Sequence, residues 1–410
     1  MKLQFALVCL GVAAILPVSG CSVDAGPVSV QDVVVVESSE PAFWQATRLT
    51  TFSERMFAQQ QLADAQNPVI SPLSIFYALA MADEGAHGDT AAAFEEVFGM
   101  PVEDARQLAA YMLEQLSSPG EGTTVNVANS AWLDDSFKIE QAWVDLISAY
   151  YEATVYNTDL QAKGTVDLVN QWISEKTNKL IPKMIETIGE DTIALLINAI
   201  YLKADWAVQF DPNKTYDNEF VNGDGTSVYV PFMTSGAMTR LVIDTANAEG
   251  VILPYADGRL AFLAAMPKAG SFNFDGTVIP DLRAAAQQCE NVILEMPKFH
   301  TEYGAADMKP ALTSLGLGVA FEPGVADFSG MAPNLFISAV LHKVSMSVGE
   351  EGTEAAAATV ISIDLTSAPL EQPIRIVFNR PYLYAVVDTV TGLPLFIGWM
   401  EDPSLAPPTA

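Results

Sequence analysis

The segment from Ala339 to Arg380 constrains the fold more than any other, because it holds β-pattern with no obvious partner in the sequence beside it. In Val344-Ser345-Met346-Ser347-Val348 apolar residues alternate with serines, the period-two mark of a half-buried strand. Gly349-Glu350-Glu351-Gly352 interrupts the pattern as a turn does. Thr353-Glu354-Ala355-Ala356-Ala357-Ala358-Thr359 follows with almost no side-chain bulk. Alternation then returns, with Ile361, Ile363 and Leu365 on one face and Ser362, Asp364 and Thr366 on the other. Beyond Thr366-Ser367-Ala368-Pro369, residues Ile374, Ile376 and Phe378 begin a further strand. By propensity alone Ala355 to Ala358 form a helical turn, but four alanines are too few to nucleate a stable helix. A loop that must at some time slide between two existing strands explains the composition better, and a short helix in the resting loop is compatible with both.

The run Gly349–Thr359 resembles the proximal hinge of an inhibitory serpin, and Phe378-Asn379-Arg380-Pro381-Tyr382 resembles the strand after a serpin's reactive loop. Asn67-Pro68-Val69-Ile70-Ser71-Pro72-Leu73-Ser74-Ile75 reads by itself as a helix start, with Ser71 capping and Pro72 in the first turn. It is also similar to one of that family's most recognisable motifs. Further matches follow in family order. Val125–Asn129 alternates as a strand, and Ala194–Lys203 is continuously apolar, as a strand buried on both faces would be. Trp206 and Phe210, Val230–Met233, Leu294–Phe299, a glycine-stopped helix at Leu312–Leu317 and Pro394–Trp399 complete the series. The likeness spans roughly residues 43 to 403, with no internal repeat and no second domain.

This resemblance implies an α+β serpin fold with a large central mixed sheet, further sheets, about nine helices and an exposed reactive-centre loop at about 349–373. It implies a hinge of Glu351, Gly352, Thr353, Glu354, Ala355, Ala356, Ala357 and Ala358, and Trp206 at the breach. It implies a shutter of Ser71, Ser74, Asn198 and His342 in which His342 hydrogen-bonds Asn198. It sets the first residue of the reactive bond fourteen positions beyond Gly352, so that the bond is Thr366–Ser367. Small, uncharged Thr366 suits an elastase-like protease; Leu365 is the alternative specificity residue for a chymotrypsin-like one, and a subtilisin-like protease accepts either. The function implied is irreversible suicide inhibition of a serine protease through a covalent acyl complex, by a monomer that is not an enzyme and uses no cofactor. A non-inhibitory serpin acting as a surface binding protein and a cross-class inhibitor of cysteine proteases stay open. The intact small-residue hinge speaks against the first.

Composition narrows the partners. Fifty Asp and Glu against twenty Lys and Arg give a formal net charge of −30. That excludes nucleic acid and electrostatic attachment to anionic lipid, and no basic cluster suits a polyanion. Residues 1–20 read as an export signal: Lys2, an apolar core from Phe5 to Leu16 too short to span a bilayer, then Val18-Ser19-Gly20-Cys21. The last four residues resemble a bacterial lipobox, which implies lipid on Cys21 and a membrane anchor at the outer membrane, periplasm or cell surface. An ordinary secretory signal and a secreted extracellular protein is the alternative. Residues 21–42 form a tether and 404–410 a tail. With Cys9 in the signal and Cys21 lipidated, Cys289 is left alone and no disulfide forms. The histidines are His87, His300 and His342; no Gly-x-Ser-x-Gly elbow or His-Glu-x-x-His metal motif accompanies them. Gly316-Leu317-Gly318 lies at a helix end rather than after a strand, so it is a poor dinucleotide signal.

Overall fold

The computed structural model of the chain describes residues 41, 43–62, 67–190, 192–353 and 372–405. Helix α1 (Phe43–Leu62) leads through strand β1 (Val69–Ile70) to helices α2 (Pro72–Asp83), α3 (Gly88–Phe98) and α4 (Val102–Ser117). Strand β2 (Thr123–Asp134), helix α5 (Gln141–Tyr151), strand β3 (Thr154–Thr158), helix α6 (Thr165–Lys176) and strand β4 (Ala194–Asp205) come next. Five strands follow: β5 (Tyr216–Val221), β6 (Ser227–Thr234), β7 (Met238–Asp244), β8 (Ala248–Pro254) and β9 (Leu260–Pro267). Helix α7 (Val278–Ala285) precedes β10 (Gln287–Pro297) and β11 (Phe299–Asp307), and the short α8 (Lys309–Leu312) precedes β12 (Leu341–Val348) and β13 (Gly352–Thr353). The chain closes with β14 (Ile374–Val377), β15 (Tyr382–Asp388) and β16 (Pro394–Met400).

Two sheets organise these elements. The central one has the order β11-β12-β13-β4-β2-β3, with β2 and β3 parallel and the other pairs antiparallel. The second runs β1-β16-β15-β9-β8-β7-β10-β6-β5, and β14 joins it parallel to β10. Helix α2 packs against β4 of one sheet and β16 of the other. Its twelve residues are all buried, which is why Pro-Leu-Ser-Ile-Phe-Tyr-Ala-Leu-Ala-Met-Ala-Asp is apolar all round rather than striped. Ser71 caps it as the sequence predicts, its hydroxyl accepting from the Ser74 amide.

The continuous apolar run of β4 is explained by burial on both faces. Ile200, Leu202 and Ala204 enter the main core, whereas Ile197 and Ala199 join a second cluster with Trp132, Trp172, Ile173 and Ile181 under α6. Eight α-helices lie among the described residues, close to the number expected. The helix expected over Leu312–Leu317 is instead the end of α8 followed by a widened turn, broken where Gly316 takes φ 118°.

Candidate functional site

Strand β12 ends at Val348, and the turn after it sends the chain back as β13 between β12 and β4. Thr353 pairs with Val348 on one side and with Ala204 on the other, and Gly352 pairs with Asp205. The Gly349 amide donates to the Gly352 carbonyl at 2.9 Å, closing the turn. A Cβ at Gly352 would lie 2.0 Å from the Ala204 carbonyl oxygen and 2.8 Å from the Asp205 Cα, so only glycine admits this pairing. Thr353 is 2 % exposed, its hydroxyl bonded to the Tyr255 hydroxyl.

Aromatic and charged groups clamp the turn. Trp206 stacks on Tyr255 with centroids 4.7 Å apart and meets Phe262 edge-on at 5.6 Å. Its indole N–H donates to the Gly349 carbonyl at 2.8 Å and its amide to the Glu351 carbonyl at 2.7 Å. The Phe210 amide donates to the Glu350 carbonyl at 2.9 Å. The Glu350 carboxylate takes Lys298 at 2.9 Å and the Thr215 hydroxyl at 2.7 Å. Burial works to raise its pKa, but the bonds from Lys298 and Thr215 outweigh it and hold the carboxyl below its ordinary value.

Below Thr353 the described residues leave a gap between β12 and β4. β12 pairs with β11 along its outer edge and β4 with β2 along its outer edge. Among the described residues, their inner edges meet a strand only at Gly352 and Thr353. The gap runs down to the four shutter positions. There the His342 Nε2 accepts the Ser71 amide at 3.0 Å, and the Ser71 hydroxyl donates to the Leu395 carbonyl at 2.8 Å. The Ser74 hydroxyl donates to the Asn198 carbonyl at 3.4 Å. The structure thus brings the four together but corrects one expected contact. Asn198 donates its amide to Asn129 Oδ1 at 2.8 Å, and Asn129 donates in turn to the Tyr151 carbonyl at 2.7 Å. The imidazole therefore serves the start of α2, not Asn198, whose Oδ1 is buried without a partner among the described residues. Burial lowers the His342 pKa to about 3, so the ring is neutral, with Nε2 as the acceptor and the proton on Nδ1.

Of the other expected site residues, Glu351 is in the turn and Trp206 in the clamp. Glu354, Ala355, Ala356, Ala357, Ala358, Leu365, Thr366, Ser367 and Cys21 lie outside the described residues. Sequence reasoning missed Asn129, Tyr255 and Lys298. Asn129 was visible as the polar end of an alternating run; Tyr255 and Lys298 carried no local signal, since only the sheet topology brings them to the turn.

A protein-family model described as Serpin (serine protease inhibitor) matches residues 47–403. The chain belongs to the serpin family. Serpins are generally protease inhibitors rather than enzymes. Alpha-1-antiproteinase F of Cavia porcellus is 29 % identical over 374 residues, covering 87 % of this chain and 90 % of that protein. The solved native state of the thermophilic serpin tengpin has a TM-score of 0.83 at 30 % identity, covering 93 % of this chain and 100 % of that one. Tengpin's latent state scores 0.74 at 29 % identity, covering 89 % and 99 %.

Proposed function

We propose that this serpin is an irreversible suicide-substrate inhibitor of serine proteases, and strand β13 carries the reading. Two hinge residues already occupy the head of a gap between β12 and β4. Because β13 runs antiparallel to both flanks, each two residues drawn in advance the register by two on either side. Ala355 then comes level with Met346 and Leu202, Ala357 with Val344 and Ile200, and Thr359 with His342 and Asn198. These flanking side chains belong to the buried face, so small residues at 355 and 357 enter without displacing them. Ile361 and Ile363 follow on the same face, toward the start of β4 at Ala194. Each inserted residue satisfies backbone groups on the two inner edges, the strand addition for which serpin loops are a known instance.

The chemistry begins as ordinary proteolysis. The protease serine oxygen attacks the carbonyl carbon of Thr366, and the bond to the Ser367 nitrogen breaks. That nitrogen leaves as an amine with a proton from the protease histidine, and Thr366 remains as an ester on the protease. Freed from β14, the loop enters the gap and carries the esterified protease roughly 40 Å, at about 3.3 Å per residue. Its active site is distorted before water cleaves the ester. The intact fold is held by a barrier rather than by equilibrium. The described residues match tengpin's native state better than its latent state, which supports a native resting arrangement of the fold.

In this reading the target is elastase-like, with Leu365 the specificity residue if it is chymotrypsin-like. The inhibitor acts as an exported monomer, held by lipid on Cys21 at a bacterial membrane. Incubation with pancreatic elastase, chymotrypsin and subtilisin tests it. A complex surviving SDS, with a released peptide starting at Ser367 or Thr366, is expected. Loop cleavage by all three with no such complex would refute the inhibitory reading.

A further inference from the structure

Arg240 is out of place in this chain. With fifty acidic residues against twenty basic ones, Arg106, Arg259, Arg375 and Arg380 each find a carboxylate. Among the described residues no carboxylate pairs with Arg240; its Nε is buried without a hydrogen-bond partner, and the guanidinium lies 5.8 Å from the Phe210 ring centre. An unpaired, largely desolvated cation is unfavourable, and burial alone depresses its pKa to about 10.

The surroundings give that cation a cleft. The ladder between β7 and β8 ends at Leu241↔Ile252, and the strands part beyond it. The opening is about 300 Å³, walled by Trp206, Met238, Leu241 and Ile252, with Thr239, Arg240 and Gln288 as polar residues. Val208 at its rim is 55 % exposed and Leu241 39 % exposed. Apolar walls with a few polar groups that fix orientation are the usual make-up of a small-molecule site.

We propose that this cleft binds a small apolar carboxylate, its hydrocarbon part against Trp206, Met238, Leu241 and Ile252 and its carboxylate on the Arg240 guanidinium. Charge complementarity selects the anion: a neutral ligand would leave the arginine as unpaired as before. One wall is the Trp206 indole, which also holds Gly349, so an occupied cleft adjoins the hinge clamp. Binding itself does not depend on whether the loop inserts.

Octanoate is the probe, titrated into the full-length protein by calorimetry and by indole fluorescence, with octanol as the uncharged analogue. Saturable octanoate binding is expected, about 10- to 100-fold tighter than octanol, as a charge-assisted hydrogen bond gives. Arg240→Gln is expected to lose a similar factor for octanoate and little for octanol. No octanoate binding to wild type, equal affinities for acid and alcohol, or unchanged affinity in Arg240→Gln would each overturn the assignment. The acid-against-alcohol comparison needs no variant, so a folding defect in Arg240→Gln leaves the test intact.

Discussion

Replacing His342 with glutamine tests how the shutter at the lower end of the gap is held together. The imidazole is 4 % exposed and supplies the acceptor for the Ser71 amide, the first residue of the α2 cap. Protonating Nε2 would point two donors at each other, so acid should attack the shutter through this ring. Its pKa is about 3 in the folded protein against 6.5 ordinarily. Below pH 6.5 the unfolded chain takes up a proton that the folded chain refuses, so the ring's contribution is whole above pH 6.5. It falls by about 1.4 kcal/mol per pH unit until the folded value is reached. Between pH 6.5 and 4 that amounts to roughly 3 kcal/mol. Glutamine does not titrate and keeps an amide oxygen in reach of Ser71. The assay is the urea midpoint of wild type and His342→Gln at pH 8, 6.5, 5 and 4. The pH-dependent difference should move against wild type on acidification, whatever the offset at pH 8. Parallel profiles from pH 8 to 4 would refute the reasoning. Comparison with the variant is essential, because Asp83 has the opposite dependence and flattens the wild-type profile.

Burial first, then the neighbouring Glu84, Glu103 and Glu95, raise the Asp83 pKa to about 8. Its neutral form therefore stabilises the fold at low pH, and the contribution is lost as pH rises from about 4 through 8. Asp83→Asn should remove that slope, so its urea midpoint gains on wild type between pH 5 and pH 9; a constant difference would contradict the assignment. Thr353→Arg loses the Tyr255 hydroxyl bond and would bury an unpaired charge at a cost of several kcal/mol. It should empty the head of the gap and turn inhibitor into substrate, read as a rise in inhibitor consumed per protease trapped; wild-type stoichiometry would contradict loop insertion. Gly352→Ala places a methyl against the Ala204 carbonyl, with a penalty of about 1–3 kcal/mol for overpacking. Hydrogen exchange at the Thr353 amide should accelerate while β2 and β15 stay protected; unchanged protection at Thr353 would show that β13 accommodates the methyl.

The sequence displayed the fold through periodicity and motif. Val344–Val348, the Ser71-Pro72 helix start and the Ala194–Lys203 run each became the expected element because local pattern and burial agree there. The hinge was legible as composition, but its first step was not: Thr353 is already buried between β12 and β4 in the intact chain. That depends on the Gly352 close approach and on Tyr255, nearly a hundred residues away in sequence. The His342–Asn198 pairing failed for a similar reason. Asn129, level with Asn198 on the neighbouring strand, reaches the amide first, and only the β2–β4 register reveals it. Arg240 was invisible as an anomaly until the structure showed that, among the described residues, no carboxylate meets it.

Melting before and after cleavage of the loop tests the central claim most directly. If the gap between β12 and β4 stores the energy that traps a protease, filling it with residues from Glu354 onward must stabilise the sheet. Protein nicked within 360–370 by a protease it does not trap should then melt far above intact protein under one scan rate. Equal midpoints for nicked and intact protein would mean that no strain is stored there, and that this chain has the serpin fold without the insertion mechanism.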